Sequence, residues 1–285
     1  MALNINELIL DRVRSLTAHS INNDDYGALL FRLTSLEDPS LNTTAEGEEV
    51  VDAVGSLITT LYRAKKATFA ASNSLISLDL AAKQYGANKV VAGVTKDKDG
   101  NIIAPTITDY AYEILKAEAP AEGETTTTVK LANTPNVDSI KYIYTIKDNQ
   151  IGTPLKSGAA AKEATEKDLA EFVVATDGTI TLPASAAGKI YVEYTYETAS
   201  AMQVTNRASE FPTACSVVIY AYFKDVCNEN KVYSGKIICP KAKLNPEQVE
   251  LALTSTGKHA FEFQMMKDYC AEEGQDELFS IIVSE

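Results

Sequence analysis

The last third of the chain, from Cys215 to Val283, most constrains what this sequence can fold into, because it is dominated by strand-like alternation. Along Val217 to Lys224, one set of alternate positions is apolar and the other is largely apolar or aromatic, so both faces of an extended segment are suited to burial. Asn228 to Asn230 supplies a polar turn, and Lys231 to Pro240 then runs back. The pattern predicts a long β-hairpin.

The alternation continues towards the C-terminus. Val249, Leu251 and Leu253 alternate with more polar neighbours, and Phe261 and Phe263 do the same. We expect the sheet to extend through nearly the whole tail of the chain.

A change of composition predicts an inserted domain. Ala119 to Glu124, followed by four threonines, has the character of an exposed connector, and the change reverses near Ala199. Between them, two alternating sets each share one face of a strand: Ile140, Tyr142, Tyr144 and Ile146, then Ile190, Val192, Tyr194 and Tyr196. The expected fold is mainly β with a few short helices. A β-sandwich or barrel core, residues 1–118 and 199–285, would carry an inserted immunoglobulin-like β-sandwich, residues 119–198.

Four local predictions concern the first 90 residues. Apolar residues at helical spacing predict a short amphipathic helix from Ile5 to Leu16. The polar stretch Glu37 to Glu49 is typical of an exposed loop. Leu57 to Tyr62 and Lys66 to Ala71 are predicted as two strands, and Ser74 as the start of a second helix that ends before Gly86.

No cluster of reactive side chains is evident, so we expect no catalytic, cofactor-binding or metal-binding residues. The two histidines, His19 and His259, lie outside any nucleophile or metal motif, and His259 is predicted at a solvated strand edge. Asp97 begins a calcium-loop-like alternation, but Gly100 does not fit that loop. The four cysteines are too widely spaced for a zinc knuckle and are expected as buried thiols, at Cys215, Cys227, Cys239 and Cys270.

Charge and hydropathy argue against a nucleic-acid-binding, a secreted or a membrane-spanning protein. The formal net charge is -13, which opposes general binding to nucleic-acid phosphates. The first residues lack the basic start and apolar run of a secretory signal, and no window is long and apolar enough for a membrane span. We therefore expect synthesis in a reducing cytoplasm.

Two segments resemble phage tail tube proteins, also called major tail proteins. Ala64 to Gly86, AKKATFAASNSLISLDLAAKQYG, combines a lysine-rich strand with a small apolar helix. Asp225 to Cys270 and Glu277 to Glu285, which ends ELFSIIVSE, are similar to that family's order of strand, loop, strand, phenylalanine-rich strand and short terminal strand. The inserted domain departs from a minimal tube protein.

The resemblance implies a virion protein, made in the host bacterium, that packs into rings, usually sixfold, whose stacking forms a tube. Its partners would be copies of itself and other tail proteins, and DNA would pass through the lumen without specific binding. By analogy, Val217 to Val226 and Lys231 to Cys239 would form a hairpin between subunits. Glu37 to Glu49 would be a ring-stacking loop, and Ala119 to Ala199 an external module.

Other functions stay open. A phage head protein, either a capsid subunit or a decoration protein, shares the acidic and strand-rich character of this chain. An adhesin that binds a carbohydrate or a receptor would use the inserted domain and its tyrosines. An enzyme is the least favoured class, because no motif nominates a reaction.

Overall fold

A computed structural model describes residues 7–97, 99–226, 231–247, 249–254, 257–268 and 277–284. The protein is mainly β: 56% of the described residues lie in strands, and one α-helix is found among them. It contains several sheets, one of them curled into a half-barrel. The predicted fold class, a mainly β sandwich or barrel with little helix, is confirmed. The predicted turn at Asn228 to Asn230, Cys227 and Cys270 lie outside the described residues.

The elements follow one another along the chain. The strands are β1 Leu8–Ser20, β2 Leu29–Leu33, β3 Leu36–Val51, β4 Leu57–Asn73, β5 Val90–Val91, β6 Ile107–Ala117, β7 Thr126–Lys130, β8 Tyr142–Lys147, β9 Gln150–Ser157, β10 Glu171–Val174, β11 Thr179–Pro183, β12 Gly188–Thr198, β13 Met202–Gln203, β14 Ala214–Asp225, β15 Val232–Leu244, β16 Glu250–Leu251, β17 His259–Met265 and β18 Ser280–Ser284. The α-helix is α1, Leu78–Gln84, and two 3₁₀ turns are Val137–Ser139 and Ala184–Ala186.

The chain divides into two compact units. Unit 1 is Met1–Lys89 with Val204–Glu285, and unit 2 is Val90–Gln203. The discontinuous outer unit therefore carries the second unit as an insertion. At the base of unit 2, Gln203 pairs with Val90, so the two ends of the insertion lie side by side.

Unit 1 is built on a nine-stranded sheet. Seven strands follow the order β2-β1-β14-β15-β17-β4-β3, and the other two, β16 and β18, pair with β17 and β15. One face of this sheet carries the core, whose largest members are Leu16, Phe31, Leu33, Phe69, Ile219, Phe261 and Phe263. The alternation predicted for β14 and β17 is observed, since each strand turns every second residue into this core. The β14–β15 hairpin is antiparallel, as predicted.

The first predicted helix is instead strand β1. Leu16 and Ala18 on β1 are buried in the core and lie opposite Ile219 and Val217 on β14. Spacings of three and four residues fit both a helix and a bulged strand, and β1 has register shifts at two points. A helix of this length is marginal in water by itself, whereas pairing with β14 and β2 places Leu16 and Ala18 in the core, so tertiary context overrides the helical spacing.

Three further local predictions differ from the structure. Glu37 to Glu49, predicted as a loop, is part of strand β3, and the two strands predicted from Leu57 to Ala71 are one strand, β4. The helix begins later than predicted, because the hydroxyl of Ser77, rather than Ser74, accepts the amide hydrogen of Leu80 and caps α1. Leu80 then packs into the unit 1 core.

Unit 2 contains a seven-stranded sheet with the order β6-β12-β8-β9-β10-β11-β7. Its core is separate from that of unit 1 and includes Ile140, Ile143, Phe172, Ile180, Leu182, Ile190 and Val192. The observed start of this unit differs from the predicted boundary at residue 118. Strand β6 ends at Ala117, yet it pairs with β12 along its full length, and no composition change marks that long-range pairing.

Candidate interaction surfaces

The cysteines that the structure describes are buried in the unit 1 core. Cys215 and Cys239 are both free thiols, as predicted, and burial raises the pKa of each to about 12. A thiol with such a pKa carries almost no thiolate near neutral pH and is a poor nucleophile. These two residues therefore act as small core side chains.

His259 is also buried, so its predicted place at a solvated strand edge is wrong. Its side chain is fully buried, and Nε2 lies 2.5 Å from Oε1 of Gln84 on α1. Its Nδ1 accepts a hydrogen bond from the amide of Ser77. Burial lowers the pKa of His259, so the neutral ring joins β17 to the start and end of α1. The sequence does not reveal which strand the helix covers.

Within the described ranges, no group of three or more His, Cys, Asp or Glu side chains is arranged to hold a metal ion. Asp97 uses its carboxylate to accept the amide hydrogens of Asp99 and Asn101, which lowers its pKa. It thus stabilises its own turn. Across the part of the chain that the structure describes, no helix is long and apolar enough to cross a membrane.

The most exposed ordered feature of unit 1 is the far end of the β3–β4 hairpin, residues 44–66, called the arm below. Strand β4 pairs with β17 only from Ala67 to Asn73, so beyond Ala67 the arm strands pair only with each other. Every arm residue is exposed except Val50 and Thr60, which are half-buried. A two-stranded hairpin without a covered face is marginal in water, and both of its edges offer unpaired backbone groups.

The arm is also unusually apolar for an exposed segment. Six large side chains are exposed on it: Val51, Val54, Leu57, Ile58, Leu61 and Tyr62. Near its base, Ala64 has a φ of 51° where a β-bulge shifts the register between the strands. A left-handed backbone at alanine is strained, and such strain persists where the surrounding structure or a function fixes it.

The two strands of the arm carry opposite charges. Glu46, Glu48 and Glu49 lie on β3, and Arg63, Lys65 and Lys66 lie on β4. Glu48 contacts Arg63, and Glu46 lies 3.5 Å from Lys66, but all four side chains are exposed. Exposed pairs of this kind contribute at most about 1 kcal/mol each, so they leave the arm free to exchange partners.

A second surface of unit 1 lies on the sheet face opposite its core, over strands β2, β1, β14 and β15. It is called the cationic face below, and its members are Arg12, Arg14, Arg32, Lys236 and Lys243. Tyr222 lies among them, with Arg12 and Arg14 at 5.5 and 5.8 Å from its ring centroid. Nη1 of Arg14 also donates a hydrogen bond of 2.9 Å to the Tyr222 hydroxyl.

The cationic face is not evident from the sequence. Arg12 and Arg14 alternate with Val13, which is a strand signal, but a helical interpretation of β1 separated them from Tyr222 and Lys236. The face exists only after β1 and β15 pair with opposite edges of β14.

Unit 2 has an aromatic face on the outer side of strands β6, β12 and β8. Tyr110, Tyr112 and Ile114 are 82%, 69% and 57% exposed on β6. The rings of Tyr112 and Tyr191 of β12 lie against each other in a tilted arrangement with centroids 6.0 Å apart, and Tyr191 is paired with Tyr144 of β8. The predicted grouping of Tyr142 and Tyr144 on one strand face is correct, but the core lies on the other side, at Ile143.

The β14–β15 hairpin does not have the free edges that pairing between subunits requires. Strand β14 is paired with β1 on one side and β15 on the other, and β15 is then paired with β18 and β17. The prediction that Val217 to Val226 and Lys231 to Cys239 join subunits through their strand edges is therefore wrong for the described residues. The unpaired edges of this sheet lie elsewhere, and the longest belongs to the arm.

Comparison with protein-family models and with curated proteins gives no match for this chain.

Proposed function

We propose that this chain is a structural protein of a phage virion that self-assembles into stacked rings, six subunits in each, to form the tail tube through which DNA passes. We propose this class because Ala64 to Gly86 and the C-terminal strands resemble tail tube proteins. The mainly β fold with a strand-rich inserted unit is compatible with that class. Its partners would be other copies of this chain and further tail proteins.

The arm is the observation that carries the proposal. Residues 44–66 expose six large apolar side chains and two unpaired strand edges, and such edges normally cause uncontrolled association unless they are covered. Contact with another copy covers them in a defined way. Since the arm differs from the surface it would contact, the contact is head-to-tail, and head-to-tail contacts build rings and filaments.

The aromatic face of unit 2 favours a second function for the inserted unit. Tyr110 and Tyr112 present rings to solvent on one face of the sheet, and tyrosine combines apolar area with a hydroxyl that tolerates partial exposure. A unit with this face can bind a carbohydrate or a receptor from the outside of an assembly. The adhesin function thus becomes a property of unit 2 within a virion protein.

Sedimentation velocity over a range of concentrations tests the assembly function. In one variant, Asn-Gly replaces Ala45 to Lys65, which closes the hairpin between the paired residues Thr44 and Lys66. This replacement is preferred to deleting the predicted stacking loop, Glu37 to Glu49, because that deletion would also remove Leu41, which packs against the core. In a control variant, a short Gly-Ser linker replaces residues 90–203.

We expect large assemblies from the wild-type chain and from the control, and a folded monomer from the arm variant. Assemblies of the same size from the arm variant would contradict the role of the arm. A wild-type chain that stays monomeric at every concentration would contradict self-assembly itself.

A further inference from the structure

The cationic face is exceptional in a chain with a formal net charge of -13. Arg14, Arg32 and Lys236 are exposed, and none of them forms an ion pair with a carboxylate among the described residues. Asp11 contacts Arg12 and Lys224 at one end of the face. The face therefore keeps at least three unpaired cations.

Acidic residues that lie on the same side of the sheet do not neutralise these three cations. Glu37 on β3 contacts Lys258, which lowers the pKa of this glutamate. Glu262 on β17 accepts a hydrogen bond of 3.0 Å from Nδ2 of Asn245. Both carboxylates are therefore engaged by other groups, Lys258 and Asn245, which lie next to the ends of β17 and β15.

Two of the cationic groups, Arg12 and Arg14, are held in place before any partner arrives. The ring of Tyr222 lies beneath two guanidinium groups, and its hydroxyl accepts a hydrogen bond from Arg14. Arginine side chains that are already ordered lose less conformational freedom on binding, and their planar groups match carboxylates in a bidentate geometry. This part of the face is therefore preorganised for carboxylates or similar anions.

The same chain provides a carboxylate surface of suitable size. Arg32 on β2 and Lys236 on β15 are three strands apart, or roughly 14 Å at the usual strand spacing. Glu46 to Glu49 on the arm spans roughly 10 Å of extended chain, and the flexible side chains cover the difference. Glu46 and Glu48 share one face of the arm because they are two residues apart in a strand.

We propose that the acidic strand of the arm of one copy docks on the cationic face of a second copy chiefly through Glu46 and Glu48, while Glu49 on the other face of the arm adds negative charge. This inference rests on the proposed self-assembly and names the surface that receives the arm. Charge complementarity sets the direction of the contact, while the apolar side chains of the arm add burial. The contact is heterologous, so each copy receives one arm and donates another.

Charge reversal tests the docking directly. A face variant carries Arg14→Glu, Arg32→Glu and Lys236→Glu. A second arm variant, which keeps the full-length arm but reverses three charges, carries Glu46→Lys, Glu48→Lys and Glu49→Lys. All six side chains are exposed, so each variant is expected to fold, which circular dichroism checks. A control with the same change in net charge as the face variant reverses three exposed lysines of unit 2, Lys116, Lys130 and Lys162.

Sedimentation and negative-stain electron microscopy then compare these proteins. By itself, the face variant or the arm variant with three reversed charges should need a protein concentration about tenfold higher or more to assemble. The unit 2 control should assemble as the wild type does. Mixed in equal amounts, the two variants should assemble again, because each acidic surface then finds a basic one on the other variant.

Three outcomes would overturn the docking inference, and they differ in what they say of the proposed function. If the wild type assembles and the face variant assembles equally well, the arm docks elsewhere and only the inference fails. If the face variant assembles normally but no longer binds a short DNA duplex that the wild type binds, the cationic face is assigned to phosphates. In that case too, only the inference fails. A monomeric wild type would overturn both.

Discussion

The ring of Phe223 on β14 fills the space that a side chain on Gly235 of β15 would occupy. A Cβ atom built on Gly235 would lie 2.1 Å from Cε2 of that ring, far inside van der Waals contact. Phe223 is half-buried and Gly235 is buried, and both belong to the central hairpin of unit 1. The glycine is therefore required by packing and not by its backbone angles.

Gly235→Ala is expected to destabilise unit 1 by about 1–3 kcal/mol, because the ring of Phe223 must shift. Chemical denaturation measures the loss, and Ser234→Ala on the opposite sheet face is the control. Adding Phe223→Leu should recover part of the loss, so the two changes are non-additive. Equal stability of Gly235→Ala and wild type would contradict the close packing.

The buried neutral His259 predicts a specific pH dependence of stability. Its pKa in the folded protein lies below the ordinary value of 6.5 because of burial. Below about pH 6.5 the unfolded chain binds a proton that the folded protein resists, so this contribution to stability is present above pH 6.5 and is lost as the pH falls.

The variant His259→Gln isolates that effect. We expect the difference in unfolding free energy between wild type and variant to shrink as the pH is lowered from 7.5 to 5, because glutamine does not titrate. Urea unfolding at a series of pH values gives the difference, in which other titrating groups cancel. A difference that is constant across this range would show that His259 keeps its ordinary pKa when folded.

The boundary of unit 2 can be tested with two fragments. Residues 90–203 contain β6 and its pairing with β12, together with Ala111 and Leu115, which pack against the core. Residues 119–198 lack that strand and leave one side of β12 unpaired. We expect the longer fragment to unfold cooperatively on heating and the shorter one to show no cooperative transition. A stable fold for residues 119–198 would contradict the importance of β6.

Two tyrosines of unit 2 should respond differently to loss of the hydroxyl group. Tyr194 is buried, and its hydroxyl donates a hydrogen bond of 2.5 Å to the Glu113 carboxylate. Tyr194→Phe is expected to cost about 1–3 kcal/mol, since the Glu113 carboxylate loses a short hydrogen bond. Tyr110→Phe, at an 82% exposed position, should change stability by less than about 0.5 kcal/mol. Thermal unfolding distinguishes them, and equal losses would contradict this assignment.

The fold was predictable where alternation reports burial directly. Cys215 to Phe223 and Phe261 to Met265 alternate because one face packs on the core, and both are strands. The opposite case is β1, where spacing fits two structures and only the partner β14 selects the strand. Local sequence gives no measure of that competition.

The candidate surfaces were less predictable because they depend on which strands become neighbours. The acidic stretch around Glu46 is visible in the sequence, but the loop prediction missed its pairing with β4. The cationic face joins residues from β1 and β15, more than 200 positions apart in the sequence, so no local pattern contains it.

Negative-stain electron microscopy of the purified protein, over a range of concentrations and incubation times, tests the central claim most directly. The account predicts rings or hollow tubes of uniform width from the wild type and from the variant without residues 90–203. It predicts only dispersed particles when Asn-Gly replaces Ala45 to Lys65. Dispersed wild-type particles under all conditions, or tubes from the arm variant, would contradict the claim that this chain assembles through its arm.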